Sequence, residues 1–263
     1  MSRQIINVTD ITEYLFCPRK VYLKLVKKVR FPPNKQMING MLRHKVFDLL
    51  NKNEAALVSS IKENLQESEI KEMYETLLNK IINEILFMQE NLVKTFEIDR
   101  KEFAENMNKE MKKEIQLRVE AIKHTIDSGF LGKELWRNLS PKYLTEFSLE
   151  SLALGLRGRI DRVKFSQEIT PFEIKTRKGK GIFESDKIQL AAYSLLLEEE
   201  FGRKIEKGIV EMLDKTEEVQ IDEELKKRVQ EIAEEIRNME EGKFPSNFNK
   251  CKECRIKKEC LEY

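Results

Sequence analysis

Apolar residues recur along this chain at two periods, and the change from one to the other divides it. Met73, Leu77, Ile81, Ile85, Met88 and Leu92 are spaced by three or four, as are Phe103, Met107, Met111, Ile115, Val119, Ile122 and Ile126, which predicts two long amphipathic helices. Residues 95–99 break the pattern between them, Asp99 with Glu102 has the form of a capping box, and Gly129 supplies a stop. Further on the period falls to two. Ile160, Val163 and Phe165 precede Ser166-Gln167-Glu168, and Ile169, Phe172 and Ile174 follow it, which predicts a β-hairpin. Residues 143–149 read as another strand, and residues 208–213 and 217–221 as a second hairpin across Asp214-Lys215-Thr216.

Helical spacing returns in shorter stretches. Thr9 or Asp10 is placed to cap a short helix, Pro18 opens a new one after Cys17, and Pro32-Pro33-Asn34 breaks the chain. Residues 40–50 then form a helix whose apolar face is Leu42, Val46, Leu49 and Leu50, with His44 off that stripe beside Arg43 and Lys45. Asp186 caps a helix that turns Ile188, Ala192, Leu195 and Leu196 toward a sheet, and a last amphipathic helix runs over about residues 222–241. Strands and helices mixed in this order give an α/β protein. Its organisation reads as an N-terminal segment 1–50, a helical insertion 51–140, a core 141–242 and a cysteine-bearing segment 243–263.

At 263 residues the chain is long enough to bury a core without disulfide staples. Its 48 Lys+Arg nearly cancel 46 Asp+Glu, so only their distribution informs. The first fifty residues carry ten Lys/Arg against three acids, which suits a phosphate backbone and equally suits a solvated lysine-rich face. Residues 51–140 carry 14 basic and 17 acidic residues and do not read as a nucleic-acid surface; His124, off the apolar stripe, reads as solvated. The longest apolar run, residues 190–197, is eight long even counting Ser194, so neither export nor membrane spanning is expected. A cytoplasmic, reducing setting makes disulfides among the four cysteines unexpected.

Candidate chemistry gathers on the first hairpin. Asp161 lies on its first strand and Glu173 and Lys175 on its second, where alternation points 173 and 175 the same way with Ile174 between them on the core side. Two acids and a lysine are what metal-assisted phosphodiester hydrolysis requires: hard oxygen ligands for Mg²⁺ or Mn²⁺, and an ammonium that orients the attacking water and neutralises developing charge. The carbonyl of Ile174 is a further ligand candidate. A bare Glu-x-Lys triplet is most often an ordinary exposed strand. Glu146, on the strand before, points toward the face that Asp161 uses and reads first as a solvated strand residue. Residues 176–181 (TRKGKG) form a basic, glycine-bearing loop that could touch phosphates.

The chain closes on Cys251-x2-Cys254-x5-Cys260, too short to own a core, and with Cys17 these thiols make four, enough for one tetrahedral zinc or one iron-sulfur cluster.

Gly158-Arg159-Ile160-Asp161, Glu173-Ile174-Lys175 and Gln189-x-x-x-Tyr193 resemble the successive motifs of RecB-type nucleases in the PD-(D/E)xK superfamily, with Ile160 where many members have proline before the first acid. Phe16-Cys17-Pro18-Arg19-Lys20 at one end and the spaced cysteines at the other narrow the resemblance to the CRISPR-associated RecB-like exonuclease family over residues 1–50 and about 141–263. The resemblance implies a restriction-endonuclease-like core with a mixed central sheet flanked by helices. It implies His44, Asp161 and Glu173 as metal ligands, Lys175 as the group that positions water, and Gln189 and Tyr193 as supports. It implies a [4Fe-4S] cluster on Cys17, Cys251, Cys254 and Cys260 that clips the ends together. The imidazole tilts metal preference toward Mn²⁺. The implied substrate is single-stranded DNA or an overhang degraded from an end, and the implied partners are CRISPR integrase proteins. Two other readings stay open: an iron-sulfur module that docks DNA to an integrase with little turnover, and a repair nuclease outside CRISPR.

Overall fold

The computed structural model describes residues 4–29, 33–175, 181–212 and 214–239, together with Cys251, Cys254 and Cys260. A two-residue strand β1 (Ile6–Asn7) leads into helices α1 (Val8–Phe16), α2 (Pro18–Leu25) and α3 (Lys35–Ser59). Helices α4 (Glu67–Met88), α5 (Glu90–Thr95), α6 (Arg100–Asp127) and α7 (Gly132–Asn138) follow. Strands β2 (Lys142–Ser151), β3 (Leu156–Phe165) and β4 (Ile169–Ile174) come next, then α8 (Glu184–Phe201), β5 (Lys207–Glu211), β6 (Thr216–Gln220) and α9 (Glu223–Arg237). The chain divides into two compact units: Met1–Pro32 with Phe147–Val163 and Glu168–Tyr263, and Pro33–Glu146 with Lys164–Gln167. Among the described residues no helix is long and apolar enough to cross a membrane.

The sheet belongs mainly to the first unit. It has six strands in the order β1-β3-β4-β5-β6, with β2 also pairing β3. β1 is parallel to β3, β4 is parallel to β5 through Glu173↔Val210 and Ile174↔Glu211, and β5 is antiparallel to β6, so the sheet is mixed. Two parallel neighbours need a crossover, and α8 supplies it between β4 and β5. This helix packs on β4 and β5 and also touches α1 and α9. Enclosed in this way, it buries Ile188, Leu190, Ala191, Ala192, Tyr193, Ser194, Leu196 and Leu197, while Leu195 is only half-buried. The expected one-sided stripe is therefore widened to nearly the whole helix, the composition of a central element.

The ends of the helices show what propensity alone misplaces. Asn7 is the residue before α1. Asp10 is buried inside the helix, accepting from Asn7 Nδ2 at 2.7 Å and Lys24 Nζ at 2.5 Å, so neither Thr9 nor Asp10 caps it. Cys17 separates α1 from α2, with Pro18 at the first turn as its missing N–H allows. Helix α9 starts after Asp222, whose side chain accepts from Leu225 N at 2.8 Å, and ends at Arg237, short of the expected 241.

The second unit is a helical bundle. Leu42, Val46 and Leu50 of α3 join Ile70, Tyr74, Leu78 and Ile82 of α4 and Met107, Met111, Ile115, Val119 and Ile122 of α6 in one core. Asp99 accepts from Glu102 N at 2.9 Å to open α6, and Gly129 lies beyond its end with φ +93°. The helix expected over residues 73–92 begins earlier and is interrupted at Gln89 (φ −106°, ψ 25°). Its buried stripe runs through Ile70, Tyr74, Leu78, Ile81 and Ile85, one residue out of step with the predicted stripe at Met73 and Leu77, and Met88 is 63% exposed. Inside the bundle Glu54 pairs with Arg118 and accepts from Tyr74 OH at 2.7 Å, and Arg118 also donates to Tyr143 O at 2.8 Å. Asn51 donates to Thr145 O at 2.5 Å, so this polar network fastens α3, α4 and α6 to the start of β2.

Candidate active site

In the first unit, the carboxyl end of β4 runs straight into the loop that precedes α8, the place where open α/β sheets present side chains to ligands. Glu173 is there, 5% exposed. One oxygen accepts from Lys175 Nζ at 2.7 Å and the other from Gln189 Nε2 at 2.7 Å. Gln189 accepts from Lys175 Nζ through Oε1 at 3.3 Å and donates from Nε2 to Tyr193 OH at 2.8 Å. Gln189 and Tyr193 are four apart on α8 and so share a face, which is why the Q-x-x-x-Y spacing brings both to β4. Ile174, expected on the core side, is the half-buried neighbour, and Glu173 takes the buried position. The face of β4 toward α8 is the enclosed one, so alternation buries the acid instead of the apolar residue.

Asp161 reaches the same strand from β3: its Oδ2 accepts from Ile174 N at 2.7 Å. Asp186, read from sequence only as a cap, sits in the first turn of α8, accepts from Phe183 N at 2.8 Å and lies 3.4 Å from Lys175 Nζ. Its signal was available, since residue 186 is three before Gln189 and shares its helix face. The glycine of the Gly-Arg-Ile-Asp motif has a packing cause as well. A methyl on Gly158 would meet Val8 Cγ2 at 2.8 Å and Tyr193 Cε1 at 3.1 Å, so only glycine lets β3 and α8 approach this closely.

Among the described residues three acids, Asp161, Glu173 and Asp186, gather at this site with Lys175. Burial first, and the Asp161 carboxylate second, push Glu173 up to about 8 against the pull of Lys175. For Lys175, burial is the strongest influence and draws the ammonium down, but Glu173 and Asp186 together outweigh it and leave the pKa above the ordinary lysine value. A buried carboxylate kept this high by a second acid is a position that a cation would relieve, and the hard oxygens of Asp161 and Glu173 suit Mg²⁺ or Mn²⁺. Among the described residues no three His, Cys, Asp or Glu side chains converge as a ready ligand set, so the fit rests on the carboxylate pair.

His44 lies on α3 in the helical unit. Its Nδ1 is 2.6 Å from Glu146 Oε2, and Arg43 Nη1 is 3.0 Å from Glu146 Oε1. Arg43 is held in turn by Glu110, 2.6 Å from its Nη2. Glu146 is 2% exposed, so the solvated strand residue expected from sequence is a buried, paired carboxylate. Its burial comes from α3 and could not be read from the strand. The basic loop expected over 176–181 falls outside the described residues except for Gly181.

The four cysteines are unbridged thiols. Arg19 Nε lies 3.2 Å from Cys260 Sγ and Nη2 3.3 Å from Cys260 O. Cys254 and Cys260 pack against Tyr22 and Leu23 on α2, the helix that Cys17 precedes, and Cys254 N donates to Cys251 O at 3.3 Å. Two of the three C-terminal cysteines are thus brought to the helix beside the N-terminal one, and soft sulfur donors suit zinc or an iron-sulfur cluster.

Comparison with known proteins adds to this geometry. A 161-residue stretch is 28% identical to the CRISPR-associated exonuclease Cas4/endonuclease Cas1 fusion of Leptospira interrogans serogroup Icterohaemorrhagiae serovar Lai (strain 56601), covering 54% of this chain. The aligned part spans 30% of that relative's length. The crystal structure of SSO0001 aligns over 57% of this chain and 76% of its own, at 22% identity and a TM-score of 0.31, a superposition too loose to carry residue correspondences. The family match, in contrast, extends over residues 6–261, through β1, both carboxylate-bearing strands, α8 and the cysteines, and on that extent the chain belongs to the PD-(D/E)XK nuclease superfamily.

Proposed function

We propose that the protein is a metal-dependent deoxyribonuclease that degrades single-stranded DNA or overhangs from an end. The observation that carries this reading is the buried Glu173, bonded by Lys175 and Gln189 yet pushed up to about 8 by burial and Asp161. Asp161 and Glu173 would hold Mn²⁺ or Mg²⁺, with His44 and the carbonyl of Ile174 as further ligands. When bound, the ion supplies a polarised phosphodiester and a water of lowered pKa. The chain's own residues do the rest. The Ile174 amide fixes the Asp161 carboxylate, and Gln189 holds Glu173 and Lys175 in register while Tyr193 holds Gln189. The Lys175 ammonium orients the attacking water and offsets the charge that develops on the phosphoryl oxygens.

Cys17, Cys251, Cys254 and Cys260 would carry a [4Fe-4S] cluster with a structural role, a reading supported by the placement of Arg19 and α2 against Cys254 and Cys260. The relative that joins an exonuclease to an endonuclease in one chain supports a CRISPR integrase as partner and DNA-end processing before integration as the setting. The deciding experiment is cleavage of end-labelled single-stranded DNA by anaerobically purified protein with Mn²⁺, run beside Asp161→Ala. Wild-type degradation that the variant lacks is the expected result, from a brown preparation. A folded, brown wild type that leaves DNA intact would overturn the nuclease in favour of a docking module for the integrase.

A further inference from the structure

Glu146 sits in a backbone conformation that a strand does not ordinarily use. Its φ is +53°, in the left-handed region, and it is one of few non-glycine residues there. Along β2 the odd-numbered residues are the more buried ones, from Tyr143 and Thr145 through Ser151, and Glu146 alone is buried out of turn. A single residue with positive φ in a strand turns its own side chain out of the alternation. Here the re-aimed side chain is a carboxylate placed against α3. Its two oxygens lie at ion-pair distance from two bases: Oε1 is 3.0 Å from Arg43 Nη1 and Oε2 is 2.6 Å from His44 Nδ1. Arg43, anchored on its far side by Glu110, supplies the charge that lets the acid stay buried, and the imidazole meets the carboxylate through Nδ1.

An imidazole offers one nitrogen as donor and the other as acceptor, and the partner of the first decides which nitrogen remains for a ligand. We propose that Glu146 is a positioning residue that selects the Nδ1–H tautomer of His44, so that Nε2 is the nitrogen presented to a divalent cation. The inference rests on the reading of His44 as a metal ligand. The strained backbone at 146 is then the cost of turning the carboxylate toward α3.

The chain has only two histidines, so ¹⁵N spectra of the metal-free protein at about pH 8 resolve His44 directly, with His44→Ala giving the assignment. The wild type should carry the proton on Nδ1. Glu146→Leu should move it to Nε2 and weaken Mn²⁺ binding, followed by electron paramagnetic resonance, by about 10–100-fold. Glu146→Gln, whose amide oxygen still accepts, should keep the tautomer, and it carries the test alone if the leucine variant does not fold. A wild-type Nε2–H tautomer, or Mn²⁺ binding by Glu146→Leu as tight as wild type, would overturn the proposal. Wild-type protein with the Nδ1–H tautomer and normal Mn²⁺ binding that cuts no DNA would refute the nuclease reading and uphold the role of Glu146.

Discussion

Each unit buries a glutamate beside a basic residue, and the two are settled differently. In the helical unit Glu54 receives Tyr74 on one oxygen and Arg118 on the other, with Arg118 fixed further by the carbonyl of Tyr143. The guanidinium serves Glu54 first and feels the buried Glu114 as well, while burial first, then the Glu54 carboxylate, hold the Tyr74 hydroxyl protonated well above its ordinary range. In the sheet unit Glu173 also has both oxygens bonded, by Lys175 and Gln189. Around it, however, Asp161 and Asp186 add to the negative side and Lys175 stands opposite them. Burial is similar at the two glutamates, at 2% and 5% exposure, so burial does not separate a structural site from the proposed catalytic one. The neighbouring acid does: burial and Asp161 raise Glu173, which is a position that a cation would relieve.

The largest effect expected from this contrast is on catalysis. Glu173→Gln should lower DNA cleavage by at least about 10²-fold, yet leave the metal-free protein folded. The pH dependence sharpens the point. Glu173 is raised from 4.5 to about 8, so the folded state binds its proton more tightly than the unfolded state does, and metal-free stability should fall as pH rises from about 4.5 to about 8. Glu173→Gln should flatten that part of a urea-denaturation profile, and saturating Mn²⁺ should do the same for the wild type. An unchanged slope in the variant would break the contrast.

The site in the helical unit should respond in stability instead. Arg118→Met leaves Glu54 buried without its cation and should cost about 3–5 kcal/mol in chemical denaturation. A neutral result would mean that the bundle reorganises around Glu54. The smallest effect is expected at the rim of the proposed catalytic network, where Tyr193→Phe removes the hydroxyl that Gln189 bonds. A loss of about 0.5–1.5 kcal/mol corresponds to a cleavage rate down by roughly two- to tenfold.

What the sequence disclosed followed the reach of its periodicities. The β3–β4 hairpin, the β5–β6 hairpin, the Asp99 cap and the closeness of Gln189 to Tyr193 are local regularities, and each appears in the structure where the spacing puts it. The interruption at Gln89 was hidden, because helices on either side of a short break keep apolar residues in step. Glu146 was hidden for a different reason. Its burial depends on Arg43 and His44, about a hundred residues earlier in the chain, and on a positive φ that no alternating pattern announces. Ile174 and Glu173 exchanged burial because strand alternation defines two faces without saying which one a later helix will cover.

The interrupted layout of the sheet unit bears on how the chain is made. Ile6 and Asn7 pair with Leu156 and Arg157, so the first strand emerges from the ribosome long before its partner exists. The helical unit, in contrast, is continuous from Pro33 to Glu146 apart from Lys164–Gln167. At ~5–20 residues per second, it is synthesised seconds ahead of the strand that completes the sheet around β1. The nascent segment that carries β1 and Cys17 therefore waits, unpaired, until β3 has been made.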